Sequence, residues 1–193
     1  MKPKGEYYSS QRVGIFIDVG NLYHSAKNLY HGRVNYQELV KNLVGGRELI
    51  RAMAYVVRSE GVEGQTPNQS KPGAGLARGN EHVGSSESAF FDALVKAGLE
   101  LRMKNLQVYG DGLKKGDWDV GMAVDAIRMA SFLDVVILVT GDGDFLPLVD
   151  YLKWGMGRLV EVAAFHKSAS GKLQEAADRF INIEDIPRSI IKK

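Results

Sequence analysis

Val135-Val136-Ile137-Leu138-Val139-Thr140-Gly141-Asp142-Gly143-Asp144 decides the fold. Five consecutive apolar residues, four of them β-branched, leave no polar face for solvent, so the run reads as a strand buried on both sides. It breaks at a glycine–aspartate turn. A helix begins near Asp144, with Pro147 tolerated in its first turn, and stops at Gly155. A doubly buried strand feeding a helix is the repeating unit of a parallel sheet covered on both faces.

The same pattern recurs outward from this stretch. Residues 13–17 form an apolar run that breaks at Asp18-Val19-Gly20-Asn21, read as a loop. Residues 53–57 and 159–165 are further buried strands, 180–183 is a shorter one, and 101–109 is an extra strand whose alternation slips at Asn105. Helical periods lie between them. Tyr36, Leu39, Val40, Leu43 and Val44 share a face behind an Asn35 cap with Glu38 three residues on, and Gly45-Gly46 ends that helix. Phe90, Phe91, Leu94 and Val95 make a second face, and Val120, Ala123, Val124, Ile127 and Ala130 a third; residues 171–178 are a short further helix. The expected architecture is a three-layer α/β domain around a central, mainly parallel sheet built from right-handed crossovers.

At 193 residues the chain suits one domain. The expectation is a domain over 12–185, an N-terminal tail 1–11, a C-terminal tail 186–193 and a flexible insertion at 60–88, where Gly, Ser, Pro, Asn and Gln dominate. Its glycines form no phosphate-binding Gly-x-x-x-x-Gly-Lys-Ser/Thr loop. With 45% hydrophobic and 25% charged residues, disorder is excluded. The absence of cysteine removes disulfides, thiolate metal sites and thiol nucleophiles, and suggests reducing cytoplasm. A net charge of +2 means that any grip on a polyanion is local. No signal-peptide core follows the first residues, and no apolar stretch approaches the ~20 residues of a membrane helix.

In open α/β sheets ligands bind beyond the carboxyl ends of the strands, where strand order reverses, so residues just after each apolar run are informative. Here they are acidic. Asp18 ends the first strand with Asn21 close behind, Asp142 and Asp144 follow Thr140-Gly141, and a loop delivers Asp111, Asp117 and Asp119 to the start of a helix. Any one of these aspartates could simply cap a helix or shape a turn. Their coincidence points to function. Carboxylates crowded in one cleft repel unless a cation joins them, and hard oxygen donors without cysteine select Mg2+ or Mn2+. Such sites perform in-line displacement at phosphorus.

Three blocks then match a known pattern. Phe16-Ile17-Asp18-Val19-Gly20-Asn21-Leu22-Tyr23, Lys115-Gly116-Asp117-Trp118-Asp119-Val120, continuing to Asp125-Ala126, and Val139-Thr140-Gly141-Asp142-Gly143-Asp144-Phe145-Leu146-Pro147-Leu148 resemble, in this order, the signatures of the NYN family of PIN-like ribonucleases, in particular its LabA-like branch. The likeness covers residues 12 to about 185, and the length and composition of 60–88 depart from it. It implies a PIN-like, Rossmann-related sheet with strand order near 3-2-1-4-5, which sets the first and fourth strands side by side. It further implies that Asp18, Asp119, Asp142 and Asp144 bind the metal, with Asn21 orienting a water or phosphate and Thr140 supporting the site, and that the reaction is hydrolysis of RNA. Asp117 is not a fixed family feature. Asp125, six residues beyond Asp119, cannot share one helix face tightly with it and is read as a supporting or structural residue.

A polyanionic substrate calls for flanking cations and stacking surfaces. Lys114 and Lys115 precede the acidic loop, Lys167 and Lys172 lie beyond a later strand, and Tyr23 and His24 follow Asn21. Each has a plainer reading as surface or core. His24, His31, His82 and His166 show no metal-ligand spacing, and Trp118 and Trp154 are read as packing residues. Two rival functions stand beside the ribonuclease: an RNA-binding or regulatory NYN protein without turnover, and a haloacid-dehalogenase-like phosphatase, which wants Asp-x-Asp where this chain has Gly20. The sequence leaves a homodimer open.

Overall fold

The structure, a computed structural model, describes residues 8–58, 81–105, 107–108, 114–115 and 117–192. In chain order the elements are β1 (Arg12–Asp18), α1 (Val19–Tyr30), β2 (Gly32–Val34), α2 (Tyr36–Val44), β3 (Glu48–Arg58), α3 (Glu81–Lys96), β4 (Glu100–Asn105), β5 (Gln107–Val108) and β6 (Lys114–Lys115). They continue with α4 (Asp119–Ala130), β7 (Val135–Val139), α5 (Leu146–Asp150), β8 (Leu159–Ala164), α6 (Gly171–Ala176), β9 (Arg179–Asn182) and β10 (Ile190–Lys192).

Six strands form a wholly parallel sheet in the order β4-β3-β1-β7-β8-β9. Counted from β1, this is the expected 3-2-1-4-5 arrangement with β9 added at the edge. Alternation in the two central strands makes the layers. Val13, Ile15, Ile17, Val135, Ile137 and Val139 enter the core under α1, α2 and α3. Phe16, Val136 and Leu138 enter the core under α4, α5 and α6. All are fully buried, and each aliphatic side chain so buried contributes about 1.5–3 kcal/mol relative to exposure. One ion pair sits inside: Arg47 donates from both terminal nitrogens to the Glu161 carboxylate at 3.0 Å, and also to the Leu43 and Val44 carbonyls that end α2.

Several expectations are corrected. The turn after β1 is no loop, because Asp18 caps α1 directly by accepting the Asn21 N–H at 2.9 Å. Residues 81–88 of the expected insertion belong to α3, while 59–80 lie outside the described residues. The strand read over 101–109 ends at Asn105, where its alternation slips, and Gln107–Val108 pair antiparallel with Lys114–Lys115. On α4 the buried residues are Met122, Ala126 and Ala130, whereas Val120 and Val124 are exposed. Small alanines let the helix lie close to the sheet, Ala123 and Ile127 pack partly buried against the core, and the two valines face outward. Val95 on α3 is likewise exposed. The residues read as a C-terminal tail fold back, Ile190–Lys192 pairing with β2 and Ser189 being buried. Trp154, read as a packing residue, is 82% exposed at the end of a wide helical turn.

Candidate active site

β1 and β7 are parallel neighbours, so the residues that follow them emerge at the same rim. The sequence after each strand then builds a turn whose polar groups satisfy one another. Thr140, completely buried, donates its hydroxyl to Asp18 Oδ2 at 3.3 Å and accepts the Asp142 N–H at 3.2 Å. Asp142 Oδ1 accepts the Asp144 N–H at 3.0 Å, opening a short 3-10 turn over Gly143–Phe145. Asn21 Oδ1 accepts the Gly141 N–H at 3.0 Å and so ties α1 to the acidic turn. On the β8 side the Gly141 carbonyl accepts the Ser170 N–H at 2.9 Å.

The electrostatics follow from this crowding. Burial raises the Asp18 carboxyl above its ordinary value, and the Asp142 charge adds to the rise, while bonds from Asn21 and Thr140 oppose it. The Asp119 carboxyl is also raised, first by burial and then by repulsion from Asp18, Asp142, Asp117 and Asp144. Five carboxylates therefore share one field. The buried phenol of Tyr36, on the α2 side of the core, is raised by burial and by the Asp18 charge.

The expected residues are thus brought together in part. Asp18, Asp119, Asp142 and Asp144 occupy one neighbourhood, yet among the described residues no three acidic or histidine side chains are close enough to hold a metal ion as they stand. One oxygen each of Asp18 and Asp142 is bound to an N–H. The donor set nonetheless fits a hard divalent ion in kind. It is anionic, all oxygen, and among the described residues none of the four carboxylates is ion-paired.

Other roles are revised. Asn21, expected to orient a water or phosphate, spends its carbonyl oxygen on Gly141. Thr140 is fully buried, bonded to Asp18 and Asp142. Tyr23 is 44% exposed beside the His24 ring, with the Lys27 ammonium 5.8 Å from its centroid, which leaves it available for stacking. Lys167 and Lys172 are exposed. The side chains of Lys114 and Lys115, and Asp111 altogether, lie outside the described residues. Asp125 accepts the Tyr55 hydroxyl at 3.1 Å and pairs with Arg102 at 3.4 Å, which makes it structural. Burial, and after it Asp125, pushes the Tyr55 phenol far up. Sequence reasoning missed Tyr55, whose only signal was its place opposite Asp18 on the neighbouring strand.

The NYN domain family matches residues 12–184, which is most of the chain and contains every residue of this rim. The chain belongs to the NYN domain family. This NYN domain is 29% identical over 113 residues to the "Low amplitude and bright protein LabA" of Synechococcus elongatus, a stretch covering 55% of this chain and 60% of that protein. It also resembles the crystal structure of a protein of unknown function from Vibrio parahaemolyticus RIMD 2210633, with a TM-score of 0.76, 28% identity and coverage of 97% of this chain and 100% of that one. Among its described residues, no helix of the NYN domain is long and apolar enough to cross a membrane.

Proposed function

We propose that this NYN domain is a divalent-metal-dependent ribonuclease. One observation carries the reading: Asp18 and Asp142 stand at the ends of adjacent parallel strands, joined through Thr140, and their charges reach Asp119. Asp18, Asp119, Asp142 and Asp144 are the residues that would hold Mg2+ or Mn2+. Such an ion supplies charge neutralisation and Lewis acidity for in-line displacement at a phosphodiester.

The chain's own residues do the rest. Asn21 and Thr140 tie the two acidic turns to each other, which would limit their movement when the ligand oxygens close on an ion. One of the four aspartates would also take the proton of the attacking water. The exposed Tyr23 ring offers a face for an unpaired base, and Lys114 and Lys115 supply phosphate contacts.

The test is cleavage of single-stranded RNA with and without Mn2+. Asp142→Asn is expected to lower the rate about 100-fold or more with an unchanged circular dichroism spectrum. Undiminished cleavage by that variant removes the assignment. A second reading, an RNA-binding regulatory NYN protein without turnover, is favoured by the lack of three carboxylates within reach of one ion among the described residues. It predicts RNA bound but uncut with either metal. The phosphatase alternative lacks its second aspartate at Gly20, and incubation with a phosphomonoester checks it directly.

A further inference from the structure

The start of α4, which carries Asp119, is held in an unusual way. Helices that begin at a charged site commonly rely on a polar cap, but the capping position here is Trp118, whose side chain makes no capping hydrogen bond. The indole lies between the helix and the sheet. Its Nε1 donates to the Val56 carbonyl of β3 at 2.9 Å, and its ring meets the Tyr55 ring edge-on with centroids 5.6 Å apart. Lys104 of β4 closes a third side, its ammonium 5.9 Å from the ring centroid and donating to the Asp117 carbonyl at 3.2 Å. Gly121 forms the fourth: a Cβ there would lie 2.5 Å from Cε3 and 2.9 Å from Cζ3 of the indole. Beneath the ring, Tyr55 is itself fixed by its bond to Asp125.

We infer that Trp118 is a positioning residue, pinning the first turn of α4 to β3 and β4 so that Asp119 is held at the acidic rim against the repulsion of its neighbours, with Gly121 as the notch that admits the ring. The inference rests on Asp119 being a metal ligand, as proposed above. The geometry explains why two features of no chemical reactivity, an indole and a glycine, bracket this aspartate. It also reverses an expectation from helix propensity. Alanine is a better helix former than glycine, yet Gly121→Ala must loosen the start of this helix, because the indole is held by Val56 and Tyr55 and cannot withdraw.

The experiment uses the full chain in a Trp154→Phe background, which leaves Trp118 as the single tryptophan of the two in the sequence. Two quantities are read: hydrogen exchange of the Met122 amide, which donates to the Trp118 carbonyl at 2.7 Å, and the midpoint of Mn2+ quenching of Trp118 emission. Gly121→Ala is expected to lower Met122 protection by about tenfold while protection in β7 persists. It is expected to weaken Mn2+ binding by about 10–100-fold. Trp118→Phe, which deletes the donor to Val56 and keeps an aromatic ring, is followed by Met122 exchange and by Mn2+ electron paramagnetic resonance, and is expected to fall between. A control for general destabilisation is Gly32→Ala, where a Cβ would meet the Ile191 carbonyl at 2.9 Å far from the rim; it is expected to lower the melting temperature without changing the Mn2+ midpoint.

Unchanged Met122 protection in Gly121→Ala overturns the anchor. So does lost protection with unchanged Mn2+ affinity. Should the parent chain bind no Mn2+, the metal-dependent reading fails by itself, and the anchor is then decided by the exchange data alone.

Discussion

Asn21 and Gly141, 120 residues apart in the chain, are joined by a hydrogen bond in which Asn21 Oδ1 accepts the Gly141 N–H at 3.0 Å. The bond staples the first turn of α1 to the acidic turn after β7. Asn21 is therefore as much a structural clamp as a reactive-site residue.

Asn21→Ala leaves the Gly141 N–H without its partner and is expected to cost about 1–3 kcal/mol in urea denaturation. Asn21→Asp retains an acceptor at the same reach but adds a charge to the acidic rim, so it is expected to recover part of that loss at high salt and less at low salt. An Asn21→Ala variant as stable as the parent chain contradicts the clamp.

Asp18→Asn separates capping from charge. Asparagine is as good an N-cap as aspartate, so α1 keeps its first bond, while the carboxyl that burial and Asp142 raise is removed. Metal-free stability is expected to hold or increase. In the parent chain, saturation at 100 times the dissociation constant adds about 2.7 kcal/mol, and in Asp18→Asn that gain is expected to vanish. Thermal melts with and without Mn2+ read both effects.

Glu161→Ala removes the carboxylate that faces Arg47 inside the core. Breaking one side of a buried pair typically costs about 3–5 kcal/mol. Because Arg47 and Glu161 lie away from the rim, the melting temperature is expected to fall sharply while Mn2+ affinity at a temperature well below the melt is retained.

Asp134 gives a pH signature. Hydrogen bonds from the Arg12 guanidinium and backbone lower its carboxyl from 3.8 to about 2. A depressed folded-state value means that the stabilisation is complete above pH 3.8 and is lost as the pH falls through about 2. The pair is partly exposed, so solvent screening keeps its share small. Asp134→Asn is expected to flatten the stability curve between pH 4 and 2, to lower stability slightly at pH 7 and to match the parent chain below about pH 2.

Much of this was legible in the sequence. β1 and β7 announce themselves because strands buried on both faces permit no polar residue, and the acidic residues that follow them mark the rim by position alone. α2 was equally plain, since Asn35 accepts the Glu38 N–H as the cap pattern requires. The reading failed where the signal was weak or distributed. α1 looked like a loop because Gly20 and Asn21 are turn formers, and only the tertiary bond to Gly141 shows why asparagine stands there. α4 was rotated because alanines carry little hydrophobic signal while Val120 and Val124 carry much, although close approach to the sheet favours the former. Trp118 could be placed in packing but not against Val56, which lies 62 residues away.

The turn bearing Asp142 is roofed on one flank. A side chain at Gly141 would meet Ala169 at 3.0 Å and the Ser168 carbonyl at 3.1 Å, and one at Gly143 would meet the Ser170 hydroxyl at 3.0 Å. Those two glycines are seats on which residues 168–170 rest. Larger residues at either position would lift that segment off the acidic turn, so this flank of the rim is kept closed by two missing side chains.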